Sequence, residues 1–464
     1  MNKLDINTIK CIYFLGIGGI GMSALARYFN LQGIQVKGYD KTPSPITEAL
    51  IEEGIIISFI DQAENIVTIL PEKEETLVVY TPAVPANMGE FIYFQSKDYK
   101  ILKRAEVLGL ITQSSKGLCV AGTHGKTTTS SMLAHIMQVS DLKCNAFLGG
   151  ISSNYGTNYL ADDSSTYTVI EADEFDRSFL KLSPFASIIT TTDPDHLDIY
   201  GDKENFQKGF EEYASLIAAS GCLVVRKGIE LTTNAPIITY SVTEEADFYA
   251  TNIHYRDGQQ WMDVHFDGKT WEAVSLGLPG IHNAENALAC IALADFLGIT
   301  ESVIREALAS FKGVKRRFDV HIRSNELVYI DDYAHHPTEI HALLNSVKKM
   351  YPDLPITTIF QPHLFSRTND FMNDFAKELA VSDQVLLLPI YPARELPLPN
   401  VTSEILASLI INSCNSSVKV IEKNQVLAYV SGIEKAVILT VGAGDIDRMV
   451  EPIKEILSSR SIKP

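Results

Sequence analysis

A chain of 464 residues is too long for one hydrophobic core and is expected to fold as about three domains. With 46% hydrophobic and 21% charged residues and no apolar run of membrane-spanning length, the composition excludes a disordered or membrane-embedded chain, and predicts no membrane partner. The net charge of −18 excludes nucleic acid over most of the surface, so an anionic ligand has to be held by local cations and N–H groups. The opening leads into a strand without a signal-peptide pattern, which predicts a cytoplasmic protein. The six cysteines lack metal-ligand spacing and are read as small, reduced core residues.

The first stretch, residues 1–112, begins with a strand over 11–15 that runs into Gly16-Ile17-Gly18-Gly19-Ile20-Gly21 and then a helix. This G-x-G-x-x-G turn presents backbone N–H groups to a diphosphate. Asp40 ends a second predicted strand, 34–40, at the spacing where dinucleotide folds place a ribose-binding acid. The fingerprint admits a nicotinamide dinucleotide, and it equally admits another diphosphate such as a UDP-sugar.

The second stretch, residues 113–312, carries the most informative segment: Gly122-Thr123-His124-Gly125-Lys126-Thr127-Thr128-Thr129 between an apolar strand and a helical pattern. Such a loop lines up N–H donors at a helix start, Lys126 adds a mobile charge, and Thr127 offers a hydroxyl to Mg²⁺, which together predict a triphosphate pocket. The strict motif would have its first glycine at position 120, where this chain has Val120. The segments 167–174 and 185–198 each read as a short apolar strand that ends in a polar loop, which brings Glu171 and His196 toward the Lys126 loop, since ligand crevices form at strand carboxyl ends. Of the two, Glu171 is the better oxygen donor for Mg²⁺. Residues 242–276 alternate apolar and polar, with Asp257-Gly258 and Asp267-Gly268 as turns, and predict antiparallel hairpins. A helix over 283–297 places Asn283 and Asn286 on its first turn, where they can hydrogen-bond a purine edge or cap the helix.

The third stretch, residues 313–464, repeats strand, loop and helix, predicting another mostly parallel α/β domain. Its polar loops, Asp332-Tyr333-Ala334-His335-His336-Pro337 and His363-Leu364-Phe365-Ser366-Arg367, fall at strand ends. Adjacent histidines on one loop seldom converge on one ion, so His335 and His336 are not assigned a metal.

Taken together, GIGGIGMSA (Gly16 to Ala24), GTHGKTTT (Gly122 to Thr129), Glu171-Ala-Asp-Glu174, Asp195-His196-Leu-Asp198, Gly280-Ile-His-Asn283-Ala-Glu-Asn286, Arg316-Arg317-Phe318, Asp331 to Pro337 and Phe360-Gln-Pro-His363 resemble the Mur ligases. These are the ATP-dependent amino-acid ligases of peptidoglycan precursor synthesis, and the GIGGIGM and DDYxHHP segments are similar to the alanine-adding branch. The resemblance implies three α/β domains: a Rossmann-like N-terminal domain, a P-loop-type central ATPase domain with an antiparallel insert, and a Rossmann-like C-terminal domain. It implies ligation of L-alanine to UDP-N-acetylmuramate through an acyl phosphate, with ATP as co-substrate and two Mg²⁺ ions, in a monomer or homodimer.

Residue by residue, the resemblance implies that Gly16, Gly18, Gly19, Ile20, Gly21 and Asp40 hold the UDP-sugar. Gly122, Thr123, His124, Gly125, Lys126, Thr127, Thr128, Asn283, Asn286, Arg317 and Asp332 would bind ATP, with Asp332 on the ribose and Arg317 at the γ-phosphate. Thr127, Glu171 and His196 would bind metal. Lys126, Glu171, His196, Arg317 and His335 would be catalytic, and Tyr333, His335, His363 and Arg367 would surround the amino acid. The chain departs from many relatives at Leu364, where an arginine is expected, so Arg367 or Arg394 would have to supply that charge.

Overall fold

The structure, a computed structural model, describes residues 8–63, 70–194, 197–256, 259–393, 395–413 and 417–459. It divides into two compact units. One comprises the segments up to His254, Trp261–Gly277 and Asn283–Lys312; the other comprises Tyr255–Gln260, Leu278–His282 and the chain from Gly313 on.

The first unit contains a five-stranded sheet formed by β1 (Cys11–Leu15), β2 (Gln35–Tyr39), β3 (Ile56–Ser58), β4 (Thr76–Tyr80) and β5 (Lys100–Lys103), in the order β3-β2-β1-β4-β5. All its pairings are parallel, and every residue of β1 is buried, as expected of a strand covered on both faces. The order reverses beside β1, so the Gly16 loop emerges at a topological switch point, where open α/β sheets form their crevice.

The same unit carries, apart from the end of β13 and the start of β14 that fall within Tyr255–Gln260, β6 (Lys116–Ala121), β7 (Asn145–Phe147), β8 (Tyr159–Leu160), β9 (Tyr167–Glu171), β10 (Pro184–Ile189), β11 (Leu223–Arg226), β12 (Ile237–Ser241), β13 (Phe248–Arg256), β14 (Gln259–Phe266) and β15 (Lys269–Leu276). They form one sheet in the order β15-β14-β13-β12-β11-β10-β6-β9-β7-β8. β6 runs parallel to both β9 and β10, which sets the chain after Ala121, Glu171 and Ile189 along one edge of the sheet. The hairpin region joins the central sheet: β13 pairs in parallel with β12. Asp267 and Gly268 both have positive φ, 47° and 69°, matching a primed hairpin turn between β14 and β15. The other turn signal, Asp257-Gly258, lies outside the described residues.

Helix Ile20–Leu31 packs the first sheet against the second. Arg27 on this helix is buried and bonded to Glu53 at 2.9 Å and to Asn158, whose amide in turn donates to Ile20 O at 2.6 Å and Ser23 Oγ at 2.9 Å. One apolar cluster, from Phe14 and Phe29 to Phe147, Phe179 and Phe210, spans both sheets. Helix position is therefore fixed by a satisfied polar network inside a shared core.

The second unit holds β16 (Asp319–Arg323), β17 (Leu327–Asp332), β18 (Ile356–Phe360), β19 (Gln384–Leu387), β20 (Ser417–Val420) and β21 (Ala436–Val441), in the order β16-β17-β21-β18-β19-β20. Only the edge strand β16 is antiparallel. Cys11, Cys119, Cys144, Cys222 and Cys290 are free and buried, and burial pushes the Cys119 and Cys222 thiols up to about 12, which makes them inert packing groups. Among the described residues no helix is long and apolar enough to cross a membrane.

Candidate active site

Buried strand β6 reaches Ala121 before the chain turns, which is why Val120 is a core residue and the loop opens at Gly122 instead. Gly122 and Gly125 adopt φ of +125° and +83°, so both positions favour glycine. A Cβ at Gly122 would also lie 2.2 Å from Thr190 Oγ1. The end of β10 pre-shapes the loop: Thr191 Oγ1 accepts from His124 N at 3.0 Å, and Thr123 Oγ1 donates to Asp193 O at 2.6 Å. Helix Lys126–Val139 starts after Gly125 without a side-chain cap, leaving its first N–H groups for an anion.

Lys126 Nζ donates to Gly122 O at 2.7 Å and to both oxygens of Glu174 at 2.9 and 2.7 Å. Burial pulls the lysine pKa down, and the carboxylates of Glu174, Glu171 and Asp173 overcome that and hold it above its ordinary value. Glu171, the last residue of β9, has its carboxylate packed on Gly149, where a Cβ would come within 2.0 Å of Oε2. Asn286 stands over the loop, its Oδ1 2.9 Å from the place of a Gly125 Cβ, and both Asn283 and Asn286 are buried on helix Ile281–Phe296. That helix starts two residues earlier than predicted, so the asparagines lie inside it and are not its caps. Thr127 sits in the first turn beside Lys126, and His196 and Arg394 lie outside the described residues.

The Thr127 hydroxyl and the Glu171 carboxylate are hard oxygen donors of the kind Mg²⁺ takes. Among the described residues no group of three or more His, Cys, Asp or Glu is gathered as a closed metal cage.

Asp40 stands at the end of β2, beside the glycine loop. Its carboxylate accepts from Gly18 N at 2.8 Å and Thr42 N at 3.2 Å, bracing the glycine loop from within. The sequence reading missed Arg104, whose guanidinium lies against Gly21, 2.1 Å from the site of a Cβ, and pairs with Asp173 at 3.3 Å. The only sequence signal was a basic pair, Lys103-Arg104, opening a helix; Lys103 pairs with Asp176 at 2.8 Å.

In the second unit, Arg316 and Phe318 flank Arg317 with φ of +65° and +51°, a backbone strain of the kind that collects at functional sites. Arg316 is structural, paired with the buried Asp331 at 3.2 Å. Arg317 lies over the Tyr333 ring at 5.3 Å. Asp332, expected on a ribose, accepts from Phe318 N and Ala334 N, each at 2.7 Å; burial lifts its pKa to about 6 against the nearby Arg317 charge. As at Asp40, one donor lies in a neighbouring loop and the other in the acid's own turn, and here the pair holds the Arg317 turn in shape.

His335 Nδ1 lies 3.0 Å from Tyr333 O, so this nitrogen carries the proton and donates, leaving the Nε2 lone pair as acceptor. Burial lowers the His335 pKa, so the ring is neutral near pH 7. His363 accepts at Nδ1 from Arg367 Nη1 at 3.3 Å, stacks on Tyr391, and is held down to about 4 by burial and by Arg367 and His335. The rings of His335 and His363 are 6.2 Å apart, whereas His336 turns aside to cap helix Pro337–Met350. Leu364 takes φ +70° at the start of helix Phe365–Asp370, leaving Arg367 as the cation beside His363.

Residues 11–116 match the Mur ligase family catalytic domain, 120–294 the Mur ligase middle domain, and 316–444 the Mur ligase glutamate ligase domain. The chain belongs to the Mur ligase family. It is 50% identical over 457 residues to the UDP-N-acetylmuramate–L-alanine ligase of Porphyromonas gingivalis, covering 97% of this chain and 100% of that one. It is likewise 50% identical over 461 residues to the enzyme of the same name from Phocaeicola vulgatus, covering 98% and 100%. Among solved structures, the UDP-N-acetylmuramate-alanine ligase of Thermotoga maritima superposes with a TM-score of 0.83 at 30% identity, covering 97% of this chain and 99% of that one. A murein peptide ligase from Psychrobacter arcticus shares the fold, with a TM-score of 0.68 at 24% identity over 97% of this chain and 98% of that one.

Proposed function

We propose that this Mur ligase joins L-alanine to the lactyl carboxylate of UDP-N-acetylmuramate in the cytoplasm, consuming ATP and releasing ADP and phosphate. The observation that carries the reading is Lys126 on a glycine-shaped loop beside Glu171, in a chain half identical end to end to ligases of that name.

A carboxylate is a poor electrophile, so its oxygen first bonds to the γ-phosphorus of ATP while the bond to ADP breaks. Negative charge gathers on the phosphoryl oxygens in that step. Lys126 and the N–H groups opening its helix stabilise that charge, and Arg317 adds a second cation. Thr127 and Glu171 would hold magnesium, which would supply Lewis-acid charge neutralisation there. The amine nitrogen of alanine then bonds to the acyl carbon and phosphate leaves. The proton lost from nitrogen passes to the His335 Nε2 lone pair, which the Tyr333 carbonyl keeps available by fixing the tautomer. Arg367, beside the neutral His363, faces the alanine carboxylate in this reading and takes over from the arginine absent at Leu364.

The test is phosphate release with UDP-N-acetylmuramate, ATP and magnesium, assayed against L-alanine, glycine, L-serine, D-glutamate and the tripeptide L-alanyl-D-glutamyl-diaminopimelate. L-alanine is expected to give the highest kcat/KM. A preference for the tripeptide would overturn the assignment in favour of a recycling ligase.

A further inference from the structure

Glu174 is the fourth residue of the Glu171-Ala-Asp-Glu174 segment, and the reaction as derived gives it no role. Yet its side chain is only 2% exposed, and both carboxylate oxygens are spent on the Lys126 ammonium. With Gly122 O at 2.7 Å and Thr123 O at 3.4 Å as further acceptors, Lys126 has no donor left for a phosphate.

We propose that Glu174 is an internal stand-in for phosphate: it holds Lys126 in the nucleotide-free protein, and a nucleotide binds by taking the ammonium away from it. The inference rests on reading the Gly122–Thr129 loop as the nucleotide site. Of the three partners of Lys126, only Glu174 carries the charge that a phosphate would replace. The two partners differ in mobility. Glu174 is fixed from behind: its carbonyl accepts from Tyr200 Oη at 2.7 Å and from Arg177 N at 3.0 Å. The next turn is locked by positive φ at Asp176 and Arg177 and tied by Lys103 to Asp176 and by Arg104 to Asp173. Lys126 is a four-carbon stem that can swing. The lysine therefore moves and the glutamate stays, next to an arriving polyanion that it repels. Glu174 thus weakens nucleotide binding through the phosphates alone, without touching recognition of the base.

The experiment is calorimetric titration of the full chain and of Glu174→Gln with ADP in magnesium buffer, and separately with adenosine. Glu174→Gln is expected to bind ADP about 10-fold more tightly with adenosine affinity unchanged. Unchanged or weaker ADP binding, the latter marking Glu174 as a metal ligand or a lysine-positioning group, would overturn the proposal, as would equal tightening for adenosine. Should neither protein bind ADP, the nucleotide-site reading itself falls and this inference with it. If the variant does not fold, a crystal structure of the wild-type chain with ADP decides: Lys126 on the β-phosphate supports the exchange, and Lys126 still on Glu174 refutes it.

Discussion

Adding one methyl group at Gly149 tests whether the Glu171 carboxylate must sit where it does. The Gly149 backbone lies outside the left-handed region, so Gly149→Ala brings no conformational strain of its own. Its Cβ would lie 2.0 Å from Glu171 Oε2 and 2.6 Å from Cδ, whereas ordinary contact begins near 3.4 Å, so the carboxylate has to retreat by about 1.4 Å. A shift of that size in a catalytic group is worth about 100-fold in kcat, or about 2.7 kcal/mol. Stability suffers less, by about 1 kcal/mol, because the displaced atoms are the end of a flexible side chain; that corresponds to about 2–4 °C in Tm. Gly156→Ala is the control: φ of +70° there gives a comparable stability loss, but nothing lies within 4 Å of the new methyl, so turnover stays at the wild-type level. The assay is phosphate release at saturating substrates, paired with thermal melts, in wild-type and Glu171→Ala backgrounds. In Glu171→Ala the added methyl should change little more, since the group it displaces is already gone. Turnover of Gly149→Ala within about threefold of wild type would refute the requirement for a fixed Glu171.

Lys126→Ala should lower kcat by about 100-fold or more, on the order of 3 kcal/mol of charge stabilisation. It should also lower stability by about 3–5 kcal/mol, because Glu174 is left buried without its cation; Lys126→Ala/Glu174→Gln should regain the melting temperature but not the turnover, and an unshifted melt of the single variant would dismiss the pair as a structural element. Arg317→Ala should slow single-turnover acyl-phosphate formation far more than it weakens ADP binding, and a mainly affinity-based loss measured by calorimetry would reverse that assignment. His363 titrates near 4 in the folded chain and near 6.5 unfolded, so its contribution to stability is present above pH 6.5 and is lost as pH falls toward 4. Thermal melts of His363→Gln across that window should show a shallower decline than wild type; an identical slope would mean that the histidine is not held neutral.

Much of this architecture was legible in the sequence because strand and helix periods are local. The strands ending at Leu15, Ala121, Glu171 and Asp332 all carry their loops where apolar runs give way to glycine or acid. What was not legible depends on pairs far apart in the chain. Glu174 lies 48 positions from Lys126, and its neighbour Glu171 has the same side-chain chemistry, so nothing in the spacing says which carboxylate meets the ammonium. Arg104 is visible only as a guanidinium filling the space that Gly21 leaves free. Asp40 and Asp332 share a feature that spacing does not show: each strand-end acid accepts from a backbone N–H of an adjacent loop, which has to find an acceptor.

Asp40 and Glu174 both put a carboxylate on a group suited to phosphate, in a chain whose net charge is −18, and the two predict opposite outcomes when neutralised. Asp40 accepts from Gly18 N in the loop and from Thr42 N in its own turn, so it joins two backbone segments and supports the shape of the glycine loop. Asn at this position can accept through one oxygen only and must turn its amide toward the other donor, losing a charge-assisted hydrogen bond of about 1.5–3 kcal/mol. Asp40→Asn should therefore lower the melting temperature and weaken binding of UDP-N-acetylmuramate, measured by calorimetry. If Asp40 were instead a displaceable stand-in like Glu174, removing its charge would tighten that binding. A brace and a stand-in make the same kind of contact in the free protein; what separates them is whether the partner is fixed backbone, which cannot leave, or the end of a flexible lysine, which can.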